Sequence, residues 1–153
     1  MAEKHRVDGV DKKILSHLIQ NARTPFLEIA RDCGISGAAI HQRVRKLEEM
    51  GVIKGSKFII TPSAVGYDIC VFIGVHLTKA HVYDEVVATL KTIPEVVECH
   101  YTTGDYAILL KLYCRDNQHL MNILVNTIQN IEGVARTESF ISLEQAINRE
   151  LQL

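Results

Sequence analysis

Apolar residues recur through the first fifty positions at helical spacing. Val10, Ile14, Leu15, Leu18 and Ile19 fall at i, i+4, i+5, i+8 and i+9, which lays one apolar stripe along a helix. Asp8 precedes the stripe as an N-cap, and the helix should end near Asn21. Thr24-Pro25 reads as the next start, with Thr as cap and Pro in the first helical position, where its missing N–H costs nothing. The second helix would bury Phe26, Ile29, Ala30 and Cys33 and stop at Gly34. Ser36 caps a third helix with an inward stripe of Ile40, Val44 and Leu47, running to Met50 before Gly51. Val52 to Ile60 then reads as a short strand or hairpin, and Thr61-Pro62-Ser63 breaks it.

Beyond Tyr67 the period changes. Ile69–Leu77 is a dense apolar strand; Val82, Val86, Leu90 and Ile93 return to helical spacing until Pro94. Strands follow over Val96–Thr102 and Tyr106–Cys114, then a helix with Leu120, Ile123, Leu124 and Ile128 on one face, then a strand over Val134–Leu143. Ile93-Pro94-Glu95-Val96 is echoed 38 residues later by Ile131-Glu132-Gly133-Val134. The order β-α-β-β-α-β predicts a ferredoxin-like sandwich, one antiparallel sheet with both helices on one face. The chain is therefore an α+β protein: a three-helix, winged helix-turn-helix over residues 1–62 and a ferredoxin-like domain over 63–153. Apolar residues on both faces of the first strand, such as Val71 and Ile73 against Cys70 and Phe72, predict that the open sheet face pairs copies of the chain into a dimer.

A tight turn between two short helices suits the major groove, because one helix braces on the backbone while the next enters. With Ile40, Val44 and Leu47 inward, the opposite face of the third helix carries Ala38, His41, Gln42 and Arg45, flanked by Ala39, Arg43 and Lys46, with Ser36 at its start. Gln pairs bidentately with adenine, Arg with guanine, and Ala meets a thymine methyl. Double-stranded DNA is the partner this pattern points to. An amino-acid-sensing or protein-interaction module that never touches DNA fits the same helices as a solvated basic face.

Charge sharpens the division. Residues 1–62 hold 11 basic against 7 acidic side chains, and residues 63–153 hold 6 against 11. A basic front and an acidic back put the polyanion contact in the first half. Met1–Arg6 leads into a polar helix rather than an apolar leader, and no apolar run is long enough to span a bilayer, so a cytoplasmic protein with no membrane contact is expected. Cys33, Cys70, Cys99 and Cys114 lack paired spacing and read as reduced, mostly buried thiols. No metal or other cofactor is expected from the scattered histidines. No nucleophile–base spacing or glycine-rich phosphate loop argues for an enzyme.

Tyr101-Thr102-Thr103-Gly104-Asp105-Tyr106 is the one turn rich in both hydrogen-bonding groups and glycine. Outward amides at Gly104 could hold a carboxylate and Asp105 an ammonium group, which suits a zwitterion. An ordinary β-turn with packed tyrosines fits the same residues.

The layout resembles the leucine-responsive regulator/AsnC family, the feast/famine regulators, over about residues 8 to 147. The resemblance rests on Val10-Asp11-Lys12-Lys13-Ile14-Leu15, Asn21-Ala22-Arg23-Thr24, Gly34-Ile35-Ser36, Arg43-Val44, Gly51-Val52-Ile53-Lys54-Gly55, Gly66-Tyr67-Asp68, Thr103-Gly104-Asp105-Tyr106 and Arg136-Thr137-Glu138-Ser139 in that order. Asn21-Ala22-Arg23-Thr24, Gly66-Tyr67-Asp68 and Tyr101-Thr102-Thr103-Gly104 look most like the asparagine-responsive branch. The resemblance implies a transcription regulator tuned by a small amino acid, with dimers assembling further, often to octamers. It implies effector contacts at Thr103, Gly104, Asp105 and Tyr106, and at Thr137 and Ser139. Ala107 stands where many members have Asp, and Gly37 where many have Pro. Ala38 and Ala39 replace the family's usual hydroxyl residues, which moves base reading toward His41, Gln42 and Arg45.

Overall fold

The computed structural model describes residues 7–153, so the expectation for Met1–Arg6 lies outside the described residues. The chain forms two compact units, divided between Phe58 and Ile59, with Ile147–Leu153 belonging to the first.

The first unit is built on three helices: α1 (Gly9–Gln20), α2 (Phe26–Cys33) and α3 (Gly37–Glu49). Asp8 caps α1 in a reciprocal box, its carboxylate accepting from the Asp11 N–H while Asp11 accepts from the Asp8 N–H. The start of α2 differs from expectation. Pro25, not Thr24, occupies the cap, and the Thr24 hydroxyl instead donates back to the Asn21 carbonyl at 2.8 Å. The proline ring offers no hydrogen-bond acceptor, so the helix starts without a side-chain cap. Gly34 closes α2 at φ 68°, a left-handed conformation that glycine adopts without strain, and the Ile35 N–H returns to the Ala30 carbonyl. Two residues later Ser36 caps α3 by accepting from the Ala39 N–H at 3.2 Å. Ile14, Ile29, Ala30, Ile40 and Val44 form the core, with Val10, Leu18, Phe26, Cys33, Ile35 and Ile53 packed around it.

Residues 52–60 carry no ladder, contrary to the strand or hairpin expected there. Phe58, Ile59 and Ile60 are well exposed. β-branched and aromatic residues favour extended backbone, but a strand needs a neighbour to bond, and the described residues of the single chain place none beside this segment. Pro62–Val65 forms a 3-10 turn ended by Gly66.

The second unit runs β1 (Ile69–Leu77), α4 (Tyr83–Leu90), β2 (Val96–Tyr101), β3 (Ile108–Cys114), α5 (Asn117–Asn126) and β4 (Val134–Ser142). The sheet is antiparallel with order β2-β3-β1-β4, so each βαβ half contributes one central and one edge strand, and each half is interrupted by a strand of the other. Alternate residues Val71, Ile73, Val75, Ile108, Leu110, Leu112 and Cys114 are buried with Val86, Leu90, Leu120 and Ile123 in one core. The internal echo has a structural cause. In both copies a buried isoleucine ends the helical segment in a 3-10 turn (Ile93 N–H to Leu90, Ile131 N–H to Ile128), and its carbonyl receives the valine that opens the next strand at 3.1 and 3.0 Å.

The other sheet face is less apolar than expected. Beside Cys70, Phe72, Leu109 and Phe140 it carries Lys111 paired to Glu98 at 3.1 Å, and Arg136 paired to Glu138 at 2.9 Å. The thiols divide as one buried (Cys114), two half-buried (Cys33, Cys70) and one exposed: Cys99 lies on edge strand β2, which has a partner strand on one side only. No described helix is long and apolar enough to cross a membrane.

Candidate functional site

Helix α3 has two well-separated faces. Ile40, Val44 and Leu47 are 0%, 8% and 1% exposed, while Ala38, His41, Gln42, Arg45 and Lys46 all lie at the surface. The turn of αL glycine and serine cap fixes where this helix starts, and the buried stripe fixes which residues face out. His41 is braced edge-on against Phe26 of α2, with ring centroids 4.6 Å apart. Ala38 and the half-buried Ala39 leave the first turn of α3 uncrowded for close approach.

Arg43, expected among the DNA-facing flank residues, is occupied elsewhere. Its Nη1 donates to Asp11 Oδ1 at 2.7 Å and to Asp8 Oδ2 at 2.8 Å. Its hydrogen bond to Asp8, then that to Asp11, raises the guanidinium above its ordinary range. The Asp11 N–H, followed by Arg43, holds the Asp8 carboxyl below its own. Asp11 is 2% exposed, and a buried carboxylate needs such a partner. Helical spacing alone put Arg43 on the outer flank; a partner on another helix, 32 and 35 residues away, is invisible to periodicity.

In the second unit the turn between β2 and β3 is fastened from inside. The Thr102 hydroxyl donates to the Tyr106 carbonyl at 2.6 Å and the Thr102 N–H to Ala107 at 3.0 Å. Gly104 sits at φ 112°, and Thr103, Gly104 and Asp105 are exposed. Beside them lies a shallow hollow of about 300 Å³, bordered by His76, Tyr101, Thr102, Gly104 and Asp105. Tyr106 leans onto the open sheet face. Its ring lies over Gly74 and meets His76 edge-on at 5.2 Å, and its hydroxyl donates to Glu138 at 3.0 Å, which raises the phenol above its usual range.

Thr137 and Ser139, expected near this turn, are not brought to it. They pair with Val75 and Ile73 on the helix-covered side, and Thr137 accepts from Gln129 at 2.9 Å. Side chains alternate along a strand, so their neighbours Arg136 and Glu138 take the turn's side. The parity of β4 was the available signal: Thr137 lies opposite Val75 and Glu138 opposite Gly74. Among the described residues no group of three His, Cys, Asp or Glu side chains is placed to hold a metal.

Residues 7–54 match the family described as winged helix-turn-helix DNA-binding, and residues 70–151 match the Lrp/AsnC ligand binding domain. The Regulatory protein AsnC of Haemophilus influenzae is 42% identical over 148 residues, covering 97% of this chain and 99% of that protein. The protein of the same name from Escherichia coli K12 is 39% identical, over 98% of this chain and 99% of its own length. The solved structure of E. coli AsnC superposes with a TM-score of 0.92 at 38% identity, covering 97% of this chain and all of that one. A Neisseria meningitidis transcriptional regulator, solved in complex with L-methionine, gives a TM-score of 0.90 at 25% identity, over 97% of this chain and 96% of that one. On both of its units and along nearly its whole length, the chain belongs to the Lrp/AsnC family of transcriptional regulators.

Proposed function

We propose that this chain is a sequence-specific DNA-binding regulator whose assembly or DNA affinity is set by a small amino acid, with asparagine the first to test. The observation that carries the DNA half is the outward row Ala38, His41, Gln42 and Arg45 on a helix whose opposite stripe is buried. This row supplies an apolar contact, an amide that pairs with adenine and a guanidinium that pairs with guanine. Lys46 and the Ser36-capped N-terminus of α3 suit the adjoining phosphates.

The ligand half rests on the turn at Thr103, Gly104, Asp105 and Tyr106. The hollow there is bordered by the exposed Gly104 and Asp105, a backbone without a side chain beside a carboxylate, which suits an α-amino acid. L-methionine in the meningococcal relative points to the same class of ligand. A homodimer, assembling further to an octamer in the cytoplasm, would bring several α3 helices to one operator. A ligand that binds one assembly better shifts the balance by that difference in affinity.

Selection of bound duplexes from random DNA at low salt, with and without asparagine, tests both halves. Enrichment of one motif, altered by an amino acid, is the expected result. No enrichment sinks the DNA reading. A motif indifferent to all twenty amino acids, with gel filtration equally unmoved, sinks the ligand reading.

A further inference from the structure

The capping box of α1 does more than close a helix. Each of its carboxylates spends one oxygen inside the box: Asp8 Oδ1 takes the Asp11 N–H at 2.8 Å and Asp11 Oδ2 takes the Asp8 N–H at 3.1 Å. The second oxygen of each is turned to Arg43 of α3, at 2.8 and 2.7 Å on the same Nη1. A cap and an interhelical clamp are thus one four-bond arrangement.

We propose that Arg43 is a positioning residue for DNA reading, which fixes the rotation of α3 about its own axis by gripping the Asp8–Asp11 box and contacts no phosphate itself. The inference rests on the DNA-binding role of α3. The buried stripe Ile40, Val44 and Leu47 sets which face of α3 is outward; it carries no directional bond, and the Arg43 clamp adds charge-assisted hydrogen bonds of fixed geometry that hold the angle. A rotation of roughly 20° carries a side-chain tip at the ~6 Å helix radius through about 2 Å. That is enough to break the bidentate geometry of Gln42 or Arg45 against a base. Arg43 lies between these two in sequence, so an anchor on it controls both. The anchor also makes Arg43 a poor phosphate ligand. Its Nη1 is taken by two carboxylates, and the trio carries a net negative charge that repels the DNA backbone.

The test compares wild type, D8N, R43M and the double variant on a selected duplex and on random duplex across a salt series. Asparagine is as good an N-cap as aspartate, so D8N keeps α1 capped while it turns an amide toward Arg43. Circular dichroism confirms that each variant is folded at the assay temperature. D8N and R43M should each lower the ratio of specific to random binding about tenfold, the discrimination of one base pair. The salt slope should stay unchanged, and the double variant should be no worse than R43M. A purely structural clamp would shift melting but leave the ratio intact, which overturns the role. So does a salt slope reduced by about 0.9 in R43M, the signature of a lost phosphate contact. So does tighter binding of D8N to every duplex, as a released arginine would give. Wild type that holds no duplex overturns the DNA reading and this role together. Wild type that binds while D8N reads sequence equally well overturns this role alone.

Discussion

Gly74 and Tyr106 share one space: a Cβ built on Gly74 would lie 2.6 Å from Cε1 of the tyrosine ring. Glycine in the middle of a central strand is costly unless something needs the room. Here the room is filled by the aromatic ring at the end of the ligand-domain turn, whose hydroxyl reaches Glu138 across the next strand pair. G74A should expel the ring and lower stability by about 1–3 kcal/mol, the usual penalty of overpacking. Thermal unfolding checks the stability loss, and the change in tyrosine near-UV circular dichroism checks that the ring has moved.

Asp105 offers the converse case. It is exposed at the tip of the same turn, and D105N should change stability by no more than about 0.5 kcal/mol. If the carboxylate meets the ammonium group of an amino acid, the variant should lose the ligand-induced shift in melting temperature while DNA binding without ligand persists. An unchanged shift would remove Asp105 from the site.

For α3, Q42A and R45A should each cost about 1–3 kcal/mol of discrimination, each at a different base pair. Selection of bound sequences by each variant reads this directly. Uniform weakening on all sequences would make either residue a backbone contact instead.

Stability of the helical unit should fall in acid. The Asp11 N–H and Arg43 hold Asp8 below its ordinary value of 3.8, so the folded state binds this proton less readily than the unfolded chain. The stabilisation is present above about that value and is lost as pH falls through the lower, folded one. Urea unfolding from pH 6 to pH 3 should show the decline, and D8N should flatten it.

Cys114 is fully buried and its thiol is pushed up to about 11 by desolvation. A thiol reagent at pH 8 should modify exposed Cys99 first and reach Cys114 only on unfolding. The sign for stability is opposite to that of Asp8. Stability is complete below the unfolded thiol's ordinary value and declines as pH rises from there through about 11. Rapid labelling of Cys114 in the folded chain would contradict the packing described.

Much of this was legible in sequence because it is local. The apolar stripes of α1, α2 and α3, the Ser36 cap, the βαββαβ order and the paired isoleucine turns follow from spacing and from what helix ends and strand faces require. What spacing does not show depends on partners distant along the chain. Arg43 sits on an outer flank by helical period, yet Asp8 and Asp11 claim it. Thr137 and Ser139 face the helix-covered side of the single chain, and the register of β1 against β4 turns Arg136 and Glu138 toward Tyr106. Val52 to Ile60 has strand chemistry without a strand, because pairing depends on a neighbour that a sequence pattern does not supply.

The interleaved strand order has a consequence for how the second unit assembles. β3 fills the gap between β1 and β2, and β1 fills the gap between β3 and β4. A nascent first half therefore emerges with an empty slot at its centre and must wait for the second. Until β3 arrives, the slot fits the β3 of any other copy equally well. Exchange of halves between chains is the failure this topology invites during synthesis at high concentration, and cooperative closure of both slots at once is what guards against it.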